Sequence, residues 1–165
     1  IYRRDAELET NRDIKYSLAD IPLPNGVLRV DKVSVPNPTS IRLGHYTLPE
    51  NDGTPVKEST SAKVPGATII SNGEYSLAMV NLTDWNKTSV LHPEGIHPVS
   101  STCGLIMNEK QVQKEEVMVT LMLWKKGKKS FSKKELTPVK SIKVSDDKKS
   151  VEIVMADKTV KKVTF

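Results

Sequence analysis

Two stretches of the chain bring side chains with chemistry close together. The first is Arg42-Leu43-Gly44-His45-Tyr46. Its guanidinium can bind a carboxylate, and its imidazole and phenol can accept or donate a proton, so the trio suits a uronic-acid site. The competing role is a core histidine bonded to a neighbour. A glycine inside a strand marks a bulge or the close approach of another backbone or ligand. The second stretch is Trp124, Lys125, Lys126, Lys128, Lys129, Lys133 and Lys134, with Phe131 among them. Long amines suit the sulfate or carboxylate groups of a polyanion, and a ring can stack on the apolar face of a sugar or on a base. Against that, lysines at a hairpin tip keep a sheet edge soluble and unpaired. Arginine, the better bidentate reader of anions, is absent from this segment.

A third group is His92, Glu94 and His97, with Cys103 nearby in sequence. Two imidazoles and a carboxylate could ligate a metal, yet His-x4-His in a Pro/Gly loop matches no defined zinc spacing, so a structural role is expected. The chain has no Ser/His/Asp order, phosphate-cradling glycine loop or CxxC pair. No catalytic set, metal or cofactor is therefore expected of this chain by itself. Asn81-Leu82-Thr83 and Asn86-Lys87-Thr88 fit the N-glycosylation pattern, a match short enough to arise by chance.

A length of 165 residues suits one domain, large enough to hold together without a disulfide or metal. The hydrophobic fraction is only 37%, but the apolar residues fall in short alternating runs that can form a core. A net charge of +5 favours acidic partners without choosing among them. Nucleic acid is disfavoured, because the clearest basic cluster lies in one tip without a binding motif. The single cysteine excludes an internal disulfide, and no apolar run is long enough to span a membrane. The opening residues lack both a signal-peptide core and an initiator Met, which reads as a processed protein or a piece of a longer one.

The elements that must position these residues are strands. Runs of β-branched and aromatic residues alternate with polar ones and end in Pro, Gly, Asn or Asp. The expectation is an irregular lead-in over 1–12 and one domain over 13–165, an antiparallel β-sandwich of about ten strands in two packed sheets. Alternation places strands at Ile14 to Leu18, Val27 to Val35, Ser40 to Leu48, Ala67 to Ile70, Tyr75 to Leu82, Thr88 to Leu91 and Thr102 to Met107. Asn25-Gly26 and Asn72-Gly73 read as tight reversals with positive φ. Pro49 to Gly66 reads as a long loop. Glu116 to Trp124 is nearly apolar on both faces, which predicts a central strand covered on both sides. Val139 to Val144, Val151 to Met155 and Val160 to Phe165 form a closing β-meander.

The string Ile21-Pro22-Leu23-Pro24-Asn25-Gly26-Val27-Leu28-Arg29-Val30-Asp31, followed by Ile41-Arg42-Leu43-Gly44-His45-Tyr46, resembles the C-terminal β-domain of bacterial heparinase II/III-like polysaccharide lyases and related secreted proteins. Leu121-Met122-Leu123-Trp124-Lys125-Lys126-Gly127 and the meander have the same look. The resemblance implies a secreted or periplasmic bacterial location. It also implies a partner: in that family an (α/α) toroid supplies much of the cleft and the β-domain closes it. Lyase chemistry there abstracts the proton beside a uronate carboxylate with Tyr or His, and this chain lacks the toroid. The resulting expectation is a non-catalytic accessory β-domain that packs against a catalytic helical domain or partner chain and contacts an acidic polysaccharide. Its candidate ligand contacts are Arg42, His45, Tyr46, Trp124, Lys125, Lys126, Lys128 and Lys129. The alternatives are an independent carbohydrate-binding module, for which 5% aromatic residues is a poor supply, and a structural or adhesive sandwich without ligand.

Overall fold

The computed structural model describes residues 2–8, 11–49, 56–61, 64–91, 103–127 and 130–165, with backbone alone at 2–8, 11–12 and 45–47. Its strands are β1 (Tyr2–Leu8), β2 (Asn11–Leu23), β3 (Gly26–Ser34), β4 (Thr39–Pro49), β5 (Lys57–Thr60), β6 (Ala67–Ser71) and β7 (Tyr75–Asn81). They continue as β8 (Lys87–Leu91), β9 (Cys103–Val112), β10 (Glu115–Lys126), β11 (Val139–Val144), β12 (Ser150–Met155) and β13 (Val160–Thr164). One short helix, α1 (Lys133–Leu136), precedes the meander. Every pairing among the described residues is antiparallel, and the class is all-β as expected.

The strands form three sheets where two were expected. A seven-stranded sheet in the order β1-β2-β3-β10-β7-β6-β5 lies in the middle. The three-stranded sheet β4-β9-β8 packs on one face and the meander β11-β12-β13 on the other. This layering follows from β10: Val117, Val119, Leu121 and Leu123 join the core under Val151, Ile153 and Val163, while Met118 and Met122 point the other way. A strand of period two that is apolar on both faces requires a cover on each. Residues Pro36-Asn37-Pro38 and Gln113-Lys114 carry the chain between the central and three-stranded sheets, and the Val35 amide donates to the Lys114 carbonyl across that corner at 2.8 Å.

Three expectations need correction. The lead-in expected to be irregular contains β1, a paired edge strand whose Tyr2 sits opposite Asp20. Within the expected loop from Pro49 to Gly66, Lys57–Thr60 is the opposite edge, with every residue exposed. The reversal expected from Asn25-Gly26 uses Pro24 and Asn25, with Leu23 paired to Gly26. Gly26 has no positive φ; it is needed because a Cβ there would lie 2.2 Å from the Met122 carbonyl oxygen. Asn72-Gly73 behaves as expected: Gly73 has φ +88°, and Asn72 Oδ1 accepts from the Glu74 and Tyr75 amides at 3.1 and 2.8 Å.

Candidate functional site

The first candidate stretch lies in β4, whose register with β9 shifts between Gly44 and Tyr46, the bulge its glycine foreshadowed. The shift changes the phase of the strand. Arg42 is opposite Glu109 on the outer side of the three-stranded sheet, whereas Tyr46 is opposite Ile106, an inner, fully buried residue. Arg42 and Tyr46 therefore hold register positions on opposite sides. The Arg42 guanidinium is highly exposed and donates to Glu109 at 3.1 Å, with Ser40 on the same carboxylate. The side chains of His45 and Tyr46 lie outside the description. An unbroken two-residue alternation would put Leu48 on the face opposite Ile41 and Leu43; with the bulge it joins them in facing the central sheet.

Beneath β4, the face of the central sheet carries a polar row that splits the apolar layer in two. Asp20, Arg29, Thr120 and Asn81 are consecutive cross-strand neighbours on β2, β3, β10 and β7. Arg29 makes two parallel 2.8 Å bonds to the Asp20 carboxylate, which raise its already high pKa. Asn81 closes a ring with Thr88 and Asn108 of the facing sheet at 2.8, 2.6 and 2.9 Å. That ring occupies the amide that the glycosylation pattern would need free. Next to the row, Asp31 is fully buried and accepts from the Tyr16 hydroxyl at 2.6 Å. Burial pushes the Asp31 carboxyl up to about 6; burial and then the Asp31 charge hold the Tyr16 phenol well above its ordinary value. Asp31 Oδ2 and Thr120 Oγ1 have no hydrogen-bond partner among the described residues. This row lies between sheets, and Asn81 is the member that bonds to the facing one.

The second candidate stretch divides. Lys125 points to the meander side and is committed internally: its Nζ lies 2.7 Å from Glu135 Oε1, donates to the Ser130 carbonyl at 3.1 Å and sits 4.9 Å from the centre of the Phe131 ring. The Glu135 carboxyl, held by Lys125 and by the Ser132 amide and hydroxyl, falls to about 2. Lys125, Phe131 and Glu135 border a mostly apolar groove of about 580 Å³ between the β2–β3 reversal and the meander. Trp124 and Lys126 point to the opposite face, both exposed, next to Tyr75 of β7. Tyr75 escaped the sequence reading because only the end of the covering sheet decides which strand aromatics stay open. Lys128, Lys129, His92, Glu94 and His97 lie outside the described residues. Among those described, no three His, Cys, Asp or Glu side chains gather as a metal site, and no helix is long and apolar enough to cross a membrane.

Charge is unevenly spread. Residues 125–165 carry thirteen lysines against five acidic residues, while residues 1–124 carry twelve basic against fifteen acidic. The excess positive charge thus belongs to the meander layer and the connection leading to it. On the meander's outer face Lys143 and Lys162 flank Glu152 in one cross-strand row.

No family model and no curated protein matches the chain. Among solved structures, a heparinase III and its lysine-methylated form each superpose with a TM-score of 0.61 at 13% identity. In both, 99% of this chain is covered but only 26% and 25% of the lyase. The heparan sulfate lyase HepC from Pedobacter heparinus aligns at 14% identity with a TM-score of 0.48, over 99% of this chain and 28% of the enzyme. The chain thus shares the fold of one region of heparinase III and spans about a quarter of that enzyme's length.

Proposed function

We propose that this chain is a non-catalytic accessory β-domain of a secreted or periplasmic polysaccharide-degrading enzyme, packing against a catalytic helical domain or partner chain and contacting an acidic glycan. The observation that carries this reading is the lopsided fold match, nearly complete for this chain and about a quarter of heparinase III. An accessory domain needs a surface for its partner. The outer face of β4-β9-β8 is consistent with that role: Leu91 is exposed, with half-buried Leu105 and Met107 on the neighbouring strand. The other half of the same face is charged, with Arg42, Glu109 and Lys87 in one row, giving the mixed character of inter-domain contacts.

Contact with an acidic glycan is supported by the lysine-rich stretch over residues 124–134, in which Lys126 is exposed beside the open Trp124 ring. Calorimetric titration with heparan sulfate and with a neutral glucan, each at two salt concentrations, tests it. The expected result is binding to heparan sulfate alone that weakens as salt rises. Equal binding to the neutral polymer, or none to either, would remove the acidic-glycan contact.

A further inference from the structure

We propose that Tyr75, Trp124 and Lys126 form a subsite that stacks one pyranose ring of an acidic oligosaccharide; the inference rests on the glycan-contact reading above and gives it a place. Trp124 pairs with Leu77 and Lys126 with Tyr75, so Tyr75 is the diagonal neighbour of Trp124 and faces Lys126 directly, all on one side of the central sheet. Such neighbours lie roughly 5 to 8 Å apart at their Cβ atoms, a spacing that one sugar ring and its substituents can bridge.

Both rings are open, Tyr75 at 40% and Trp124 at 43% exposure. That matters because the other described aromatic side chains are used internally. Tyr16 bonds Asp31, Trp85 is buried in the core beside Ile41 and Val112, Phe131 packs in the core against Lys125, and Phe165 lies 5.7 Å from the Lys32 ammonium. The fold therefore leaves open, among described residues, two rings that are adjacent. Among the described residues, Met79 and Met122 on the same face are sealed by the three-stranded sheet, Leu77 is nearly so, and Trp124 and Tyr75 lie beyond that cover.

The charge beside the rings selects an acidic sugar. Lys126 is exposed and has no ion-pair partner among the described residues, in contrast to Lys125, which is bound to Glu135. A ring lying on the apolar faces of Trp124 and Tyr75 would present a carboxylate or sulfate to the Lys126 ammonium. Stacking on a rigid aromatic costs little ordering entropy, since each ring has only two side-chain torsions.

Calorimetry of the full chain with a heparan sulfate hexasaccharide, compared across Trp124→Ala, Tyr75→Ala, Lys126→Ala and the meander control Lys143→Ala, tests the subsite. Truncating Trp124 spares the sheet, because its backbone amide bonds the Asn25 carbonyl at 3.0 Å. Unchanged urea midpoints would verify folding, and Trp124→Phe, which keeps a ring, should retain most of the affinity. The expected losses are about tenfold or more for either aromatic truncation, within the range of a stacking contact, a smaller and salt-dependent loss for Lys126→Ala, and little change for Lys143→Ala. Wild-type binding that all three subsite variants retain would overturn the subsite while leaving glycan contact intact. Absence of wild-type binding would overturn both.

Discussion

The Tyr16 hydroxyl donates a 2.6 Å hydrogen bond to Asp31 Oδ1 between neighbouring strands of the central sheet, on the face that the three-stranded sheet covers. Asp31 is fully buried, and its carboxyl stands at about 6, raised by desolvation against the lowering effects of the Tyr16 bond and the Arg29 charge. In the unfolded chain it titrates near the ordinary value of about 3.9. The folded protein therefore holds this proton more tightly. The stability it contributes is complete below about pH 4 and is lost as pH rises through about 6. Urea midpoints measured between these limits should fall with rising pH in the wild type and fall less in Asp31→Asn. The same slope in both proteins would show that Asp31 does not titrate in this window. Glu135, lowered to about 2, works in the other direction, and its stabilisation is lost only as pH falls towards that value.

Removing the donor should expose the cost of the buried acceptor. Tyr16→Phe leaves Asp31 without its hydrogen bond and is expected to cost about 1–3 kcal/mol at neutral pH. Because the two side chains share one interaction, Tyr16→Phe combined with Asp31→Asn should cost less than the sum of the single changes. Additive losses in chemical denaturation would contradict their coupling.

Two glycines should fail for different reasons. Gly26→Ala drives a methyl group into the Met122 carbonyl in the middle of the sheet, an overpacking expected to cost about 3 kcal/mol. Gly73→Ala meets nothing within 4 Å but must hold φ near +88°, at about 1 kcal/mol. Thermal unfolding of the two variants distinguishes them, and a milder effect at Gly26 would contradict the close approach.

The connection into the meander should depend on its cap. Ser132 accepts from the Glu135 amide at 3.3 Å, and the Glu135 carboxylate accepts from the Ser132 amide at 2.8 Å. Ser132→Ala should cost about 1 kcal/mol and speed amide exchange at Leu136 before the central strands. Uniform exchange across the chain would mean that α1 has no separate stability.

What the sequence disclosed follows what its patterns encode. The near-apolar pattern of both faces identified β10 as a strand covered on each side, because burial on two sides leaves Val117 to Leu123 apolar but for Thr120. It passed over β1 and β5 because both are sheet edges, held by backbone pairing with little to bury; Lys57-Glu58-Ser59-Thr60 has no apolar residue at all. Gly44 signalled the bulge in β4, but its consequence, Arg42 and Tyr46 at register positions on opposite sides, required the pairing with β9. Trp124 was legible as a candidate, whereas its place diagonal to Tyr75 depends on the pairing of β10 with β7, two strands distant in sequence. The commitment of Lys125 to Glu135 likewise depended on a helix of four residues, too short to show a period.

Incubating the purified chain with heparan sulfate and following the ultraviolet absorbance of unsaturated uronate ends tests most directly whether these sheets offer a surface without a reaction centre. The predicted result is no product from this chain alone at any pH. Sustained turnover by the isolated chain, abolished by a single substitution at His45 or Tyr46, would contradict it.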